Sequence, residues 1–380
     1  MQYRTFGRLD WKPSALGFGA MRLPVFEEDA GKIDEELATR MIRTAIDRGV
    51  NYVDTAWPYH KEQSEPFVGR ALGNGYRDKV KLATKMPSWL IKTRDDFDVH
   101  LNEQLRRLQT DHIDFYLLHA LNKTFWPNLR DLEVFDWAEQ AIADGRIGHL
   151  GFSFHDDLPL FKEIVDAYDW TFCQIQYNYM DAEFQAGREG LKHAADKGLA
   201  VVIMEPLRGG SLTRTAPDVV AKLWDGAPTK RSQAAWALQW LWSQPEVSLI
   251  LSGMSEMQHV EENVEIAGRS AAGLLSSDEM ALVEQVSAAY RTLSPIPCTD
   301  CRYCLPCPSG VAIPRVFAQY NNAMMYGDHK GVRRSYAQFM KSEEKADQCV
   351  ACGQCEAACP QQIQIIDWLK KVQTFMTTDA

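Results

Sequence analysis

The cysteines of this 380-residue chain are concentrated near its C-terminal end. Eight of the nine lie between Cys298 and Cys359, and the ninth, Cys173, is expected to be a buried apolar side chain. Thiols that recur every three or four residues are typical of metal ligands rather than of disulfides in a reducing compartment. The clustered residues are Cys298, Cys301, Cys304, Cys307, Cys349, Cys352, Cys355 and Cys359.

The two groups of cysteines have the spacing of iron-sulfur ligands. The second reads C-x2-C-x2-C-x3-C-P, the pattern of bacterial two-cluster ferredoxins, whereas the first has only two residues before its last cysteine. Three closely spaced thiolates hold one cubane, and the fourth reaches its neighbour. The alternative is a pair of structural zinc sites, but two quartets that each end in proline favour iron and sulfur. We predict two 4Fe-4S clusters, one on Cys298, Cys301, Cys304 and Cys359, the other on Cys349, Cys352, Cys355 and Cys307.

Four polar residues near the ends of apolar runs could act together on a carbonyl group. Asp54, Lys85 and His119 each close such a run, and Tyr59 follows Asp54 by five residues. A hydride that reaches a carbonyl carbon leaves an alkoxide, which a tyrosine could protonate if a nearby cation lowers its pKa from about 10. Lys85 would supply the cation, Asp54 would hold it, and His119 would orient the substrate oxygen.

Each of these residues also has a simpler explanation. An Asp–Lys pair is more often a salt bridge than a catalytic unit, and a histidine near a strand end is often a packed core residue. Four such residues on adjacent loops favour the catalytic interpretation, because catalytic side chains collect at one rim of a barrel. Trp57, Trp89 and Trp126 either line an aromatic substrate cleft or pack in the core.

Short apolar runs alternate with segments of helical period over most of the chain. Eight strand candidates and intervening helices over roughly 250 residues predict an α/β fold, a (β/α)8 TIM barrel. In the third helix the expected core positions are Phe97, Leu101, Leu105 and Leu108. The competing fold is a doubly wound sheet, but no G-x-G-x-x-G follows the first strand. The strand candidates are residues 14–20, 51–56, 80–86, 113–119, 149–154, 172–178, 200–206 and 247–253.

The composition changes near residue 290, where cysteine, proline and glycine replace the alternation of strands and helices. We therefore predict two domains: the barrel in residues 1–290 and a small α-helical, ferredoxin-like iron-sulfur domain in residues 291–380. Residues 1–8 are expected to form a hairpin that plugs the barrel floor, and residues 276–291 an additional helix.

The charge of the chain excludes some classes of partner. Its net charge is −10 and its pI is near 5.5. No run of lysine and arginine interleaved with aromatic residues could neutralise a phosphate backbone, so we expect no nucleic acid. No apolar run is long enough to cross a bilayer, and the N-terminus lacks the apolar segment of a signal peptide. We expect a cytoplasmic protein without membrane association.

Residues 1 to about 290 resemble the aldo-keto reductase superfamily. The stretches that carry the resemblance are LGFGAM (16–21), VDTAWPY (53–59), TK (84–85), DFYLLH (114–119), GRIGHLGFS (145–153), QIQYN (174–178), EPLRGG (205–210) and EEN (261–263). The resemblance implies an NAD(P)H-dependent reductase that converts an aldehyde or ketone to an alcohol. It implies a tetrad of Asp54, Tyr59, Lys85 and His119, with Tyr59 as general acid and base.

The resemblance also implies a site for NADP(H) or NAD(H) across the C-terminal rim. The nicotinamide amide would meet Ser153 and Gln174, and the adenine would lie near Glu262 and Asn263. The pyrophosphate would pass under the loop that follows the seventh strand. The implied cofactor residues are Gly19, Met21, Ser153, Gln174, Met204, Pro206, Leu207, Gly209, Gly253, His259, Glu262 and Asn263.

Three of these positions depart from the usual pattern of the superfamily. Met204 stands where a tyrosine often stacks on the nicotinamide. Gly253 and His259 stand where lysine and arginine commonly contact the 2′-phosphate of NADPH. The choice between NADPH and NADH therefore stays open.

The barrel with appended cysteine motifs is similar to the iron-sulfur-containing branch of the superfamily. Nicotinamide transfers two electrons as a hydride, whereas each cubane transfers one, and no flavin motif is present. The chain could be an ordinary reductase of a small carbonyl substrate whose clusters are structural or sense redox state. Its clusters could instead connect the active site to a ferredoxin or another one-electron carrier. A third hypothesis is an electron-transfer or redox-regulatory protein whose barrel only binds nucleotide; the intact tetrad argues against it.

Overall fold

Eight parallel strands close into a barrel in the computed structural model, which describes residues 1–27, 29–298, 304–359 and 361–378. Each strand pairs with the next along the chain, and the first pairs with the eighth. The predicted (β/α)8 fold is confirmed. The strands are β1 (Leu16–Gly19), β2 (Tyr52–Asp54), β3 (Lys81–Met86), β4 (Ile113–Leu121), β5 (Ile147–Phe154), β6 (Phe172–Gln176), β7 (Ala200–Met204) and β8 (Val247–Gly253).

Helices connect successive strands, and their apolar faces are buried. In the first helix Asp34 caps the N-terminus, where its carboxylate accepts a hydrogen bond from the Leu37 N–H at 3.0 Å. None of the described helices is both long and apolar enough to span a bilayer. The connecting helices are α1 (Glu35–Asp47), α2 (Ser64–Ala71), α3 (Asp95–Leu108), α4 (Phe125–Asp131), α5 (Val134–Ala143), α6 (Leu158–Asp166), α7 (Gly187–Asp196), α8 (Asp218–Asp225), α9 (Gln233–Trp242) and α10 (Met257–Ala267).

The N-terminal segment fills the barrel at the end where the strands begin. Antiparallel bridges join Tyr3 to Ser14 and Phe6 to Leu9, as expected for a hairpin. The ring of Phe6 is fully buried, and its centroid lies 4.9 Å from that of Phe115. Gly7 has φ +56, and a Cβ there would lie 2.6 Å from backbone atoms beside β7. Only glycine therefore allows this close approach.

The chain forms two compact units. One contains residues 1–209 and 231–280, and the other contains residues 210–230 and 281–380. The domain division at residue 290 stays a prediction, because compactness does not test which parts fold independently. The expected additional helix is present as α11 (Ser277–Thr292). The later helices are α12 (Ile313–Tyr326), α13 (His329–Phe339), α14 (Gln354–Ala357) and α15 (Ile365–Thr377).

The second unit has its own apolar core, built from helices α12, α13 and α15. Phe317, Leu369 and Val372 are buried at its centre. The side-chain amide of Asn321 donates to the carbonyl of Ile296 at 2.8 Å and accepts from its N–H at 3.1 Å. This pair of hydrogen bonds fixes the segment that leads into the first cysteine group.

Candidate active site

A buried ion pair lies at the C-terminal ends of β2 and β3. The Lys85 ammonium donates to both carboxylate oxygens of Asp54, at 2.7 and 2.8 Å, and to the carbonyl of Thr55 at 2.8 Å. Neither side chain is more than 3% exposed. Burial opposes the charge of Lys85, but the Asp54 carboxylate raises the pKa of the ammonium, which therefore stays protonated.

Tyr59 lies next to this ammonium. Its hydroxyl accepts a hydrogen bond from Lys85 Nζ at 3.4 Å, and Nζ lies 5.0 Å from the centroid of the phenol ring. Burial raises the pKa of Tyr59, and Lys85 only partly offsets this effect. The expectation that the cation would lower this pKa below its usual value is therefore wrong, because desolvation of the phenolate outweighs the attraction of the ammonium.

His119 lies near the C-terminal end of β4, at the same rim, beside Tyr59 and Trp89. The imidazole centroid lies 6.2 Å from the phenol ring and 5.2 Å from the Trp89 indole. Burial, and then the nearby Lys85, hold the pKa of His119 well below its usual value, so the ring is neutral. The structure thus brings the four predicted residues together.

Trp57 and Trp126 are at most 8% exposed, whereas Trp89 is 37% exposed beside His119.

A buried polar network behind Lys85 was not predicted from the sequence. The carboxylate of Glu65, which is fully buried, accepts hydrogen bonds from Thr84 Oγ1 at 2.7 Å and from Gln104 Nε2 at 2.5 Å. Gln104 also donates to the carbonyl of Lys85 at 3.0 Å and accepts from the Tyr116 hydroxyl at 2.6 Å. These contacts fix the backbone that carries Lys85. No spacing in the sequence links the residues, so no signal could have revealed the network.

Two of the expected nicotinamide residues are paired across β5 and β6. Ser153 and Gln174 are in register, and both are buried. The Ser153 hydroxyl accepts a hydrogen bond from the Ala120 N–H at 2.8 Å, and Gln174 Nε2 lies 3.5 Å from the Met204 sulfur. Within the described residues, Gln174 Oε1 is a buried acceptor without a donor. A carboxamide N–H would satisfy it, so these residues fit a nicotinamide.

The remaining cofactor positions follow β1, β7 and β8. Gly19 ends β1 in register with Asp54 and with Gly253 of β8. Pro206 is buried, Leu207 is partly buried, and Met21 and His259 are exposed. The Asn263 side chain donates to Ser252 at 3.1 Å, and Glu262 accepts from Ser232 at 2.6 Å. Gly209, in the loop after β7, has φ +66.

Arg22 is a rim residue that the sequence did not indicate. A Cβ on Gly253 would lie 3.1 to 3.3 Å from the Arg22 side-chain carbons, so this arginine occupies the space that Gly253 leaves. Its guanidinium contacts Glu205 at 3.3 Å. A second arginine, Arg208, is anchored in the loop after β7 by Asp181 at 3.1 Å. Each of these guanidinium groups is thus paired with a carboxylate.

Most of the described cysteines of the two motifs line the core of the second unit. Six of them pack against its buried residues, Cys352 is exposed, and Cys301 lies outside the described residues. Burial raises the pKa of the Cys355 thiol, and the neighbouring Cys349 adds to this shift. Among the described residues, no three His, Cys, Asp or Glu side chains have the geometry of a metal site. The donor set, soft thiolates beside an apolar core, nevertheless fits iron-sulfur clusters. As expected, Cys173 is fully buried.

Comparison with known proteins identifies the class to which this barrel and its rim belong. Residues 15–288 match the family model of the Aldo/keto reductase family, and residues 297–364 match that of the 4Fe-4S dicluster domain. The protein therefore belongs to the aldo/keto reductase family, and it carries a ferredoxin-like 4Fe-4S segment at its C-terminal end.

Individual relatives are distant. The uncharacterized oxidoreductase YrpG of Bacillus subtilis is 31% identical, over 56% of this chain and 68% of its own. The NADH-specific methylglyoxal reductase of Escherichia coli is 25% identical, over 70% of this chain and 93% of its own. Among solved structures, the holo form of aldo-keto reductase AKR11C1 from Bacillus halodurans has a TM-score of 0.63 at 27% identity, covering 75% of this chain and 96% of that one.

A second solved structure shares the fold. The aldo-keto reductase from Klebsiella pneumoniae in complex with NADPH has a TM-score of 0.60 at 23% identity, over 76% of this chain and 96% of that one.

Proposed function

We propose that the protein reduces an aldehyde or ketone to an alcohol with NADPH or NADH, with Tyr59 as the general acid. One observation carries this proposal: the phenol hydroxyl lies 3.4 Å from an ammonium that is fully buried and held by both oxygens of Asp54. A salt bridge that only stabilised the fold would not need a phenol hydroxyl beside its ammonium. The arrangement instead supplies a proton beside a fixed positive charge.

The four side chains would divide the work as follows. Tyr59 donates its proton to the carbonyl oxygen as negative charge develops there. Lys85 stabilises the resulting phenolate, and Asp54 keeps the ammonium in place. The neutral His119 ring binds the substrate oxygen and orients it, while Trp89 beside it forms an apolar wall.

The dinucleotide would bind along the same rim, where its nicotinamide supplies the hydride. Gln174 Oε1, the buried acceptor, and the Ser153 hydroxyl would hold the carboxamide. The Met204 side chain, 3.5 Å from Gln174, offers a soft apolar surface to a ring. Arg22 and Arg208 would face the phosphates. The Escherichia coli relative is named for NADH and the Klebsiella structure contains NADPH, so these likenesses support either dinucleotide.

In the second unit we propose two 4Fe-4S clusters with the ligand sets predicted from the sequence. The match to a dicluster domain and the packing of six motif cysteines on one core support this proposal. The clusters would exchange single electrons with a ferredoxin or a similar carrier, or respond to the redox state of their surroundings.

Replacement of Tyr59 by phenylalanine tests the proposed reaction. We expect Tyr59→Phe to lower kcat for small aldehydes, such as methylglyoxal, by at least about a hundredfold, because it removes the proton donor but keeps the ring. The dissociation constant for NADPH, measured by protein fluorescence, should change less than about threefold. Tyr76→Phe, at a partly buried tyrosine whose hydroxyl donates to Asp47, is the matched control. Full activity of Tyr59→Phe would disprove the assignment.

A further inference from the structure

Three consecutive residues directly after Tyr59 adopt left-handed backbone conformations. His60, Lys61 and Glu62 have φ values of +54, +52 and +69, although none is glycine. L-residues with side chains avoid this region, and runs of such residues are especially unfavourable. A strained segment of this kind persists only where the surrounding structure holds it, and such segments collect at functional sites. We call residues 60–62 the left-handed turn.

His60 attaches the turn to the loop between β1 and α1. Its Nδ1 lies 2.8 Å from the carbonyl of Ala30, and its Nε2 accepts a hydrogen bond from the Leu23 N–H at 3.1 Å. Since a carbonyl can only accept, Nδ1 carries the proton, and the two partners together specify one neutral tautomer. The side chain is 8% exposed, and burial lowers the pKa of the imidazole, in agreement with this neutral form.

The other two residues of the turn are held by different parts of the barrel. The Lys61 ammonium contacts Asp29 at 2.7 Å, in the same loop that His60 reaches. The Glu62 carboxylate contacts the guanidinium of Arg107, on α3, at 2.9 Å. Arg107 in turn lies 3.7 Å from the centroid of the Trp57 ring. Both sides of the loop that carries Tyr59 are therefore anchored.

We propose that the left-handed turn fixes the phenol of Tyr59 beside Lys85, and that His60 is the positioning residue that maintains it. This inference rests on the proposed function of Tyr59. Two hydrogen bonds hold the backbone of Tyr59. Its N–H donates to the carbonyl of Ala56 at 3.2 Å, and its carbonyl accepts from the Ser64 N–H at 3.2 Å. A return of the turn to negative φ would break the second bond and redirect the phenol.

The turn itself is tested by a matched pair at Lys61, whose side chain is 68% exposed. Lys61→Gly and Lys61→Val both remove the contact with Asp29, but glycine accepts positive φ and a β-branched residue resists it. With methylglyoxal and other small aldehydes as substrates, we expect kcat of Lys61→Val to fall about tenfold below that of Lys61→Gly. The dissociation constant for NADPH should be the same in both.

A second pair tests His60 by a measurement that needs no substrate. His60→Ala removes both hydrogen bonds of the imidazole. His60→Asn keeps a side-chain donor near the position of Nδ1, and asparagine tolerates positive φ. We expect amide hydrogen exchange in residues 57–63 to be at least about tenfold faster in His60→Ala than in His60→Asn. The kcat of His60→Asn should lie between those of His60→Ala and the unchanged protein.

The possible results separate this inference from the proposed function. If Tyr59→Phe stays active, the proposed function fails whatever the turn does. If Tyr59→Phe is inactive but Lys61→Val equals Lys61→Gly in kcat, and His60→Ala equals His60→Asn in hydrogen exchange, the turn is not a positioning device. Should Lys61→Val not fold, the His60 pair alone decides.

Discussion

Burial sets the protonation states of Tyr59 and His119 at neutral pH. It raises the pKa of the phenol and lowers that of the imidazole, so both groups are uncharged beside a charged Lys85. An uncharged phenol can donate a proton, and an uncharged imidazole does not repel the ammonium. Within the tetrad, the charges are thus carried by Asp54 and Lys85.

The pH profile of kcat/KM should reflect these two shifts, because this constant reports the groups of the free enzyme. A general acid acts in its protonated form, so reduction should be lost as pH rises through the raised pKa of Tyr59, above about 10. The neutral form of His119 persists down to its lowered pKa, well below 6.5, so activity should fall only in stronger acid. Rates with a small aldehyde, from mildly acid to alkaline pH, provide the check. An alkaline fall centred near neutrality would contradict the assignment of Tyr59.

Three residues of the tetrad could be predicted because each has a chemical type that is costly in an apolar strand. An aspartate, a lysine and a histidine at the ends of three runs stand out against their neighbours. Glu65 and Gln104 gave no such signal, since both lie in helices where polar residues are normally on the exposed face. Their burial depends on contacts between separate elements, and these follow only from the folded chain.

Among the elements, strands were easier to predict than the exact faces of helices. The expected run of residues 247–253 is β8, and the run of residues 51–56 contains the shorter β2. In α3, Phe97, Leu101 and Leu108 are buried as predicted, but Gln104 takes the place expected for Leu105. Gln104 bonds to the Lys85 carbonyl and to Tyr116, so hydrogen bonding rather than hydrophobicity selects the buried position.

The N-terminal hairpin makes a stability prediction. We expect Gly7→Ala to destabilise the barrel by about 2 kcal/mol or more, because the new Cβ would press on backbone atoms that cannot move aside. Gly75→Ala is the control, since Gly75 also has positive φ but a Cβ there would meet no atom of the described residues within 4 Å. It should cost only about 1 kcal/mol. Equal losses in denaturant unfolding would show that the close approach does not matter.

At the scale of the whole molecule, metal content tests the second unit. Protein purified without oxygen should contain about eight iron atoms per chain if both clusters are present. Cys355→Ala should lower the iron content, because it removes a proposed ligand. Cys173→Ala, which changes a buried cysteine of the barrel, should leave it unchanged. Stoichiometric zinc in place of iron would contradict the cluster assignment.

The second unit is assembled from two separate stretches of chain. Residues 210–230 belong to it together with residues 281–380, and an ion pair of 2.8 Å joins Arg214 to Asp328 across them. A protease that nicks the chain once near residue 280 would therefore leave this unit as two fragments held by noncovalent contacts. A transplant of residues 281–380 onto another protein would leave residues 210–230 of this unit behind, together with the Arg214 side of the ion pair.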